Sequence, residues 1–382
     1  MEKGGCAMKL SVLQENLGKG LSIVGRAVAT RTTLPITQNV LVATDQSRLK
    51  LCATNLEMAI TCWIGAKVEV DGAITVPARL LTEFISSLPS DRVDLTLSQR
   101  TLELKCGRFE ARISGMAAED FPPIPQVGDG IIAKVEVNAL KEAIGQVVFA
   151  AATEESRPVL TGVHTEFDGD KLTLAAADGF RLGVHKTKLL SPVSNKGAVI
   201  IPARALNELN RLLGDQEEPV DITVNQQKSQ ALFRLKNMEM VSQLIQGAFP
   251  NYAQLIPQSY TTRAVVDIAQ FSRAVKMSAI FARDGSGIVR LVVTPGEGVA
   301  AGKMTVSARA EEIGDNVGEI DALVDGEPAK IAFNSKYLQD VLGVLRQTQI
   351  ALEVTTPSSP GVIRPVGVDN YVHVVMPMFV QW

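Results

Sequence analysis

Apolar positions along the chain fall into three copies of one pattern. Val76-Pro-Ala-Arg opens a stripe made of Leu80, Leu81, Phe84, Ile85 and Leu88, and Ile201-Pro-Ala-Arg opens a second made of Ala205, Leu206, Leu209, Leu212 and Leu213. Phe333-Asn-Ser-Lys opens a third, made of Tyr337, Leu338, Val341, Leu342 and Leu345. Spacings of three and four residues mark one face of a helix. Another stripe, set in the first copy by Leu13, Leu17, Leu21, Val24 and Val28, predicts a further helix per copy. The expected helices lie near 11–28, 138–152 and 268–282, and near 79–88, 203–213 and 335–346.

Between the helices the period drops to two. Val93-Asp-Leu-Thr-Leu, Thr101-Leu-Glu-Leu-Lys-Cys, Val220-Asp-Ile-Thr-Val and Ala231-Leu-Phe-Arg-Leu alternate as half-buried antiparallel strands do. The run from Leu34 (LPITQNVLVATDQSRLKLCATNLEMAI) lines up with the run from Arg157 (RPVLTGVHTEFDGDKLTLAAADGFRLGV), each reading strand, turn, strand. Asp120-Phe-Pro-Pro and Ala248-Phe-Pro-Asn close the first two copies; the third, from Ser286, is more diverged. A repeat this long exceeds any solenoid unit, so each copy is a domain with its own core. The fold class is α+β: three repeated domains, each an antiparallel sheet with two helices, expected over 8–128, 131–258 and 262–382.

Charge changes the picture. The formal net charge is −3. Yet the six helical windows hold Lys19, Arg26, Arg79, Lys141, Arg204, Arg211, Arg273, Lys276, Lys336 and Arg346 against Glu15, Glu83, Glu142, Glu208 and Asp340. They are therefore net positive on an acidic chain, and the asymmetry recurs in all three copies, which is a directional field. The leader MEKGGCAMKL lacks the apolar core of a signal peptide and no apolar run is long enough to span a membrane, so a cytoplasmic protein is expected. The four cysteines form no Cys-x-x-Cys pair, so free thiols are expected.

Signs of catalysis are missing. The three histidines, His164, His185 and His373, fall in alternating patterns and are expected at partly exposed strand positions. No phosphate-binding glycine motif occurs, and Asp120 and Asp178-Gly179 read as turn chemistry. Ser114-Gly115 and Ser286-Gly287 have no base at a readable spacing. No aromatic platform is interleaved with basic residues, which leaves sequence-independent attraction to phosphates. No cofactor and no metal are expected.

The segments MKLSVLQENLGKGL, RTTLPITQNVLV, VPARLLTEFISSLP, AEDFPPIP, ESRPVLTGV, AAADGFRLGV, IPARALNEL and the terminal YVHVVMPM resemble the bacterial DNA polymerase III beta subunit, the sliding clamp family, in register from residue 8 to 382. The resemblance implies a head-to-tail homodimer of three-domain chains forming a ring around duplex DNA, with helices on the inner wall. It implies a non-catalytic processivity subunit whose partners are double-stranded DNA, the replicative polymerase, the clamp loader and other proteins bearing a clamp-binding motif.

Site residues follow from the same resemblance. A DNA-contacting arginine before the Leu-Pro-Ile motif corresponds to Arg31, and the basic helical residues Arg26, Arg79, Lys141, Arg204, Arg211, Arg273, Lys276 and Lys336 are expected to face DNA. The partner-peptide pocket corresponds to Leu160, Ala177, Gly179, Phe180, Arg181, Leu182, Pro250, Leu255, Val374, Met376, Pro377 and Met378. Ala177, Phe180 and Phe379 depart from the family's usual Thr, His and Arg. The dimer seam is expected at Ile280 and Phe281 against a surface near Ile113. Most apolar pocket residues should be partly exposed, as a docking site requires. The competing reading is a repetitive scaffold or a polymerase-associated enzyme with an unrecognised active site.

Overall fold

The structure, a computed structural model, describes residues 8–214, 216–282, 287–297, 301–310 and 314–382. Six α-helices stand among antiparallel strands: α1 (Gln14–Val24), α2 (Ala78–Ser87), α3 (Val137–Val147), α4 (Ala203–Leu212), α5 (Ile268–Ala282) and α6 (Ser335–Val344). Each copy therefore supplies two. The first is shorter than the stripe predicts, because residues 9–13 are a strand and Leu13 ends it, exposed and extended; Gly25–Ala27 continue as a 3-10 turn. α3 likewise gives way to the 3-10 turn Val148–Ala150.

Local chemistry sets the starts. Pro77 and Pro202 stand immediately before α2 and α4, where a missing N–H costs nothing. The Asp267 carboxylate accepts from Gln270 N–H at 2.8 Å and the Asn334 side chain from Lys336 N–H at 2.9 Å, capping α5 and α6. The inward stripe positions Leu81, Ile85, Leu206, Leu209, Leu338 and Val341 are buried, each stabilising by roughly 1.5–3 kcal/mol. Gly20 lets α1 approach the strand Met58–Gly65, since a Cβ there would meet Ile64 Cδ1 at 2.3 Å.

The chain packs as two compact units. One comprises the chain up to Val137 with Val193–Asn195 and Glu208–Leu244; the other comprises Asn138–Pro192, Lys196–Asn207 and Ile245–Trp382. The first holds a five-stranded and an eight-stranded sheet, the second a twelve-stranded sheet. The repeats share sheets. In the first unit Met58–Gly65 pairs with Met238–Gln243, and in the second Arg181–Lys188 pairs with Tyr371–Val375. No helix among the described residues is long and apolar enough to cross a membrane.

Candidate functional site

The two shared seams carry the same backbone design. In the second unit Asp178 Oδ1 accepts from the N–H groups of Phe180 and Arg181, at 2.9 and 3.0 Å, around Gly179 at φ +94°. Phe180 C=O then accepts from Met376 N–H at 2.8 Å. This tight turn leaves Phe180 and Met376 side by side at the surface, both exposed.

Beneath them lies an apolar floor. Ala177 pairs with Leu182, and Leu182 with Val374, across three adjacent strands. These three are buried in one cluster with Ala175, Val184, Val362 and Val372, and Tyr252 and Ile256 pack against it. Leu255 ends the 3-10 turn Tyr252–Leu255 and is 53% exposed; Pro250 is exposed, and Pro377 and Met378 are half-buried. Leu160 differs from expectation: it is buried in the 3-10 turn Pro158–Thr161, its carbonyl taken by Ala152 N–H.

Arg181 holds the rim together. Its Nε donates to Asp178 at 2.9 Å and its Nη1 to Asp340 of α6 at 2.6 Å. The guanidinium lies 4.6 Å from the Tyr337 ring centre and 5.4 Å from that of Phe149. Phe180 stacks on Tyr337 with centroids 6.3 Å apart. A cavity of about 380 Å³ opens beside this pair, lined by Arg157, Asp178, Asn334, Lys336 and Tyr337 among others. Sequence reasoning missed Tyr337, Asp340, Arg157 and Asn334. The one available signal was a tyrosine on the outer edge of the third apolar stripe, where the first copy has the exposed Leu80.

The histidines correct an expectation. His164 is half-buried and stacked on Phe249 at 5.2 Å, but His185 and His373 are core residues. His185 Nδ1 lies 2.8 Å from Gln146 Oε1, and His373 Nδ1 lies 3.2 Å from the Tyr371 hydroxyl. Burial lowers His185 to about 4 and His373 to about 3, and holds the Tyr371 hydroxyl above its usual range. Both imidazoles are thus neutral, with no opening to a substrate. The thiols are equally inert: burial pushes Cys52 up to about 11 and Cys62 up to about 12, and Cys106 is also buried and free. Cys6 and Ser286 lie outside the described residues. Among the described residues no group of three or more His, Cys, Asp and Glu is placed to hold a metal.

On the helices, charge is partly neutralised. Arg26 and Arg211 share Glu208 at 3.3 and 2.7 Å, Arg79 pairs with Glu83 at 2.8 Å, and Lys336 with Asp340 at 3.2 Å. Lys141, Arg204, Arg273, Lys276 and the exposed Arg31 make no ion pair among the described residues. Such exposed pairs contribute little to stability, which leaves these cations available to phosphates.

At the expected seam, Ile280 is exposed and Phe281 half-buried at the end of α5, with exposed Met277 beside Ile280; Val317 of the strand Gly314–Gly326 is exposed as well. Ile113 does not fit. It is 4% exposed, packed against its own sheet, while Phe109, four residues earlier on the same face of this edge strand, is 56% exposed.

Three sequence models of one family match in succession: the N-terminal domain of the DNA polymerase III beta subunit over residues 8–125, its central domain over 134–251 and its C-terminal domain over 253–379. The chain belongs to the DNA polymerase III beta subunit family. It is 33% identical to the beta sliding clamp of Synechococcus elongatus, covering 97% of this chain and 99% of that one. The DNA polymerase sliding clamp of Bacillus subtilis superimposes with a TM-score of 0.92 at 29% identity, covering 98% and 100% of the two chains. The Pseudomonas aeruginosa sliding clamp, solved bound to griselimycin, superimposes at 0.91 and 29% identity, covering 99% and 100%. The three-domain clamp fold, antiparallel sheets carrying two helices per domain, is the fold of this chain.

Proposed function

We propose that two copies of the chain join head to tail into a ring around duplex DNA, with the three domains of each copy spanning about 8–128, 131–258 and 262–382. The function is that of a DNA sliding clamp: it tethers the replicative polymerase to DNA, receives the clamp loader and other partners, and is itself non-catalytic. This reading puts the protein in the cytoplasm.

Two unpaired edges support the ring. The strands Phe109–Ser114, Met238–Gln243 and Tyr371–Val375 are equivalent, since Met116, Ile245 and Met378 just beyond them donate to the carbonyls of Thr75, Ile200 and Ala332. The second and third strands pair with the next-lower repeat; the first ends its sheet. In the third repeat the first part of Gly314–Gly326 has only Gly302–Ala310 beside it among the described residues. Continuing the pattern pairs Phe109–Ser114 of one chain with this edge of another, a heterologous contact that closes when made twice. Phe109, Val317 and Ile280 supply its apolar surface.

The exposed cations Arg31, Arg204, Arg273 and Lys276 and the half-buried Lys141, with Arg26, Arg79, Arg211 and Lys336, are the residues proposed to meet phosphates, without reading sequence. The groove over Ala177, Leu182 and Val374, rimmed by Phe180, Leu255, Met376, Pro377 and Met378, takes a short peptide with a Leu or Phe anchor, with micromolar affinity of about −8 kcal/mol. The deciding experiment loads the protein on closed circular duplex and then linearises the circle. Retention before cutting and loss after it is expected; retention after cutting would remove the ring. Phe109→Asp with Ile280→Asp should sediment as a monomer.

A further inference from the structure

We infer that the last four residues, Phe379 to Trp382, extend the peptide groove into an aromatic shelf that takes an aromatic residue accompanied by a carboxylate, placed beside the apolar anchor of a partner peptide. The inference rests on the groove reading above and deepens it.

The tail is fixed in place. Met376 N–H bonds to Phe180 C=O at 2.8 Å and Met378 N–H to Ala332 C=O at 2.7 Å. Ala332 belongs to Ala329–Asn334, the last strand of the twelve-stranded sheet, so the tail runs along an edge that no other strand covers among the described residues. Two residues back on that strand, the Lys330 ammonium lies 5.7 Å from the Trp382 ring centre. The direction is antiparallel, and the groove rim and the tail form one continuous ridge.

The ridge is apolar where a surface has no internal reason to be. Phe379 is 87% exposed and Trp382 50%, beyond the already exposed Phe180 and Met376. The other copies show what a closing aromatic does when it has a partner within the chain. Phe121 is buried against Ile36 and Cys52, and Phe249 stacks on His164 at 5.2 Å. Trp382 closes the third copy four residues after Met378, as Phe249 follows Ile245, yet remains half uncovered. Continuity with the groove makes its occupant the same peptide. Lys330, exposed and without an acidic partner among the described residues, sets the charge of that peptide's flank.

The test uses the full chain carrying Trp63→Phe, which leaves Trp382 as the sole tryptophan, and three tryptophan-free peptides: a pentapeptide with Leu and Phe anchors, and two versions extended by Tyr-Asp at one end or the other. One extended peptide should bind about fivefold to tenfold more tightly than the short one, the size of an aromatic contact plus an exposed ion pair with Lys330, and it alone should shift Trp382 emission. Phe379→Ser with Trp382→Ser should erase the gain while leaving the short peptide's Kd unchanged, which also shows that the variant is folded. Equal Kd for all three peptides, or a gain that survives in the double variant, would overturn the shelf while leaving the groove. Absence of short-peptide binding would remove both.

Discussion

The seam between Met58–Gly65 and Met238–Gln243 and the seam between Arg181–Lys188 and Tyr371–Val375 share a backbone and differ in almost every side chain that meets solvent. Asn55 Oδ1 accepts from Glu57 and Met58 N–H as Asp178 does from Phe180 and Arg181, and Gln243 N–H reaches Glu57 C=O at 2.8 Å as Met376 reaches Phe180. In the first unit, however, the segment after Phe121 fills its own seam: Val127 is 9% exposed against Leu232 and Val241, with Ile124 beside it. In the second, the corresponding segment leaves Leu255 at the surface. Where the second seam shows Phe180 and Met376, the first shows Glu57 and Gln243. Repetition supplies the frame, and the choice of side chains on it makes one seam closed and the other a docking site.

Arg181 should give the largest difference. Its counterpart in the first seam is the buried Met58, so Arg181→Met imports the other seam's solution into a place holding two carboxylates. Asp178 and Asp340 are mostly buried and lose their shared partner. The expected cost is about 3–5 kcal/mol by denaturant unfolding, with peptide binding weakened as well because the Phe180–Tyr337 stack loses its tether. Stability within 1 kcal/mol of the parent would show that the two seams are interchangeable.

How much of the fold and of the second seam was legible in the sequence follows from particular residues. The inward stripes, the strand alternation and the three-fold repeat are local signals, and the helices appear where they point. Helix ends drifted because Leu13 and Val28 extend the apolar spacing beyond Gln14–Val24 into a strand and past a 3-10 turn, which periodicity alone does not separate. Ile113 shares a strand face with the exposed Phe109, and the packing that covers the one and not the other is tertiary, which alternation does not show. Arg181, Asp340 and Tyr337 are far apart in sequence, and their meeting is a tertiary fact. His185 and His373 were read from alternation as half-exposed, but they stand in the stretches Leu182–His185 and Tyr371–Val375, which are covered on both faces so that consecutive positions are buried.

Those histidines give the next effect. At the first seam the matching places hold Cys62 and Met240, so only the second has buried imidazoles. Their folded values, about 4 and about 3, lie below the ordinary 6.5. The unfolded chain therefore binds more protons below pH 6.5, and stability falls with pH through that window, ceasing near 4 for His185 and near 3 for His373. At full slope each contributes about 1.4 kcal/mol per pH unit, but at pH 6.5 the unfolded imidazole is only half protonated, so unfolding free energy should drop by about 2 kcal/mol between pH 6.5 and 5.5. His185→Cys with His373→Met, the first seam's residues, should flatten the profile; an unchanged slope would place the proton uptake elsewhere.

Converting the docking surface into the closed one tests function directly. Phe180→Glu with Met376→Gln copies Glu57 and Gln243 and should weaken a clamp-motif peptide by about 2 kcal/mol, roughly thirtyfold, in calorimetry. Stability should hardly change, since both side chains are exposed. The reciprocal pair, Glu57→Phe with Gln243→Met, should create no binding, because Val127 already occupies the ground beneath. Peptide binding at the converted first seam would mean that rim chemistry alone makes the site.

The smallest effect lies in the turns. Both need a left-handed residue after the capping side chain: Gly179 at φ +94° in the second seam, but Leu56 at φ +75° in the first. Leucine in that conformation costs about 1–2 kcal/mol, of which glycine recovers part after its greater loss of chain entropy. Leu56 is exposed and contributes little burial in return. Leu56→Gly should therefore stabilise the protein by about 0.5–1 kcal/mol without touching peptide affinity. The reverse change cannot be neutral: at Gly179 a Cβ would stand 3.3 Å from Arg157 Nη1, on the wall of the cavity beside Phe180. Gly179→Leu should lose both stability and binding. If Leu56→Gly instead destabilises, the exposed leucine is itself buried by something in solution, and the first seam is not the closed surface its side chains describe.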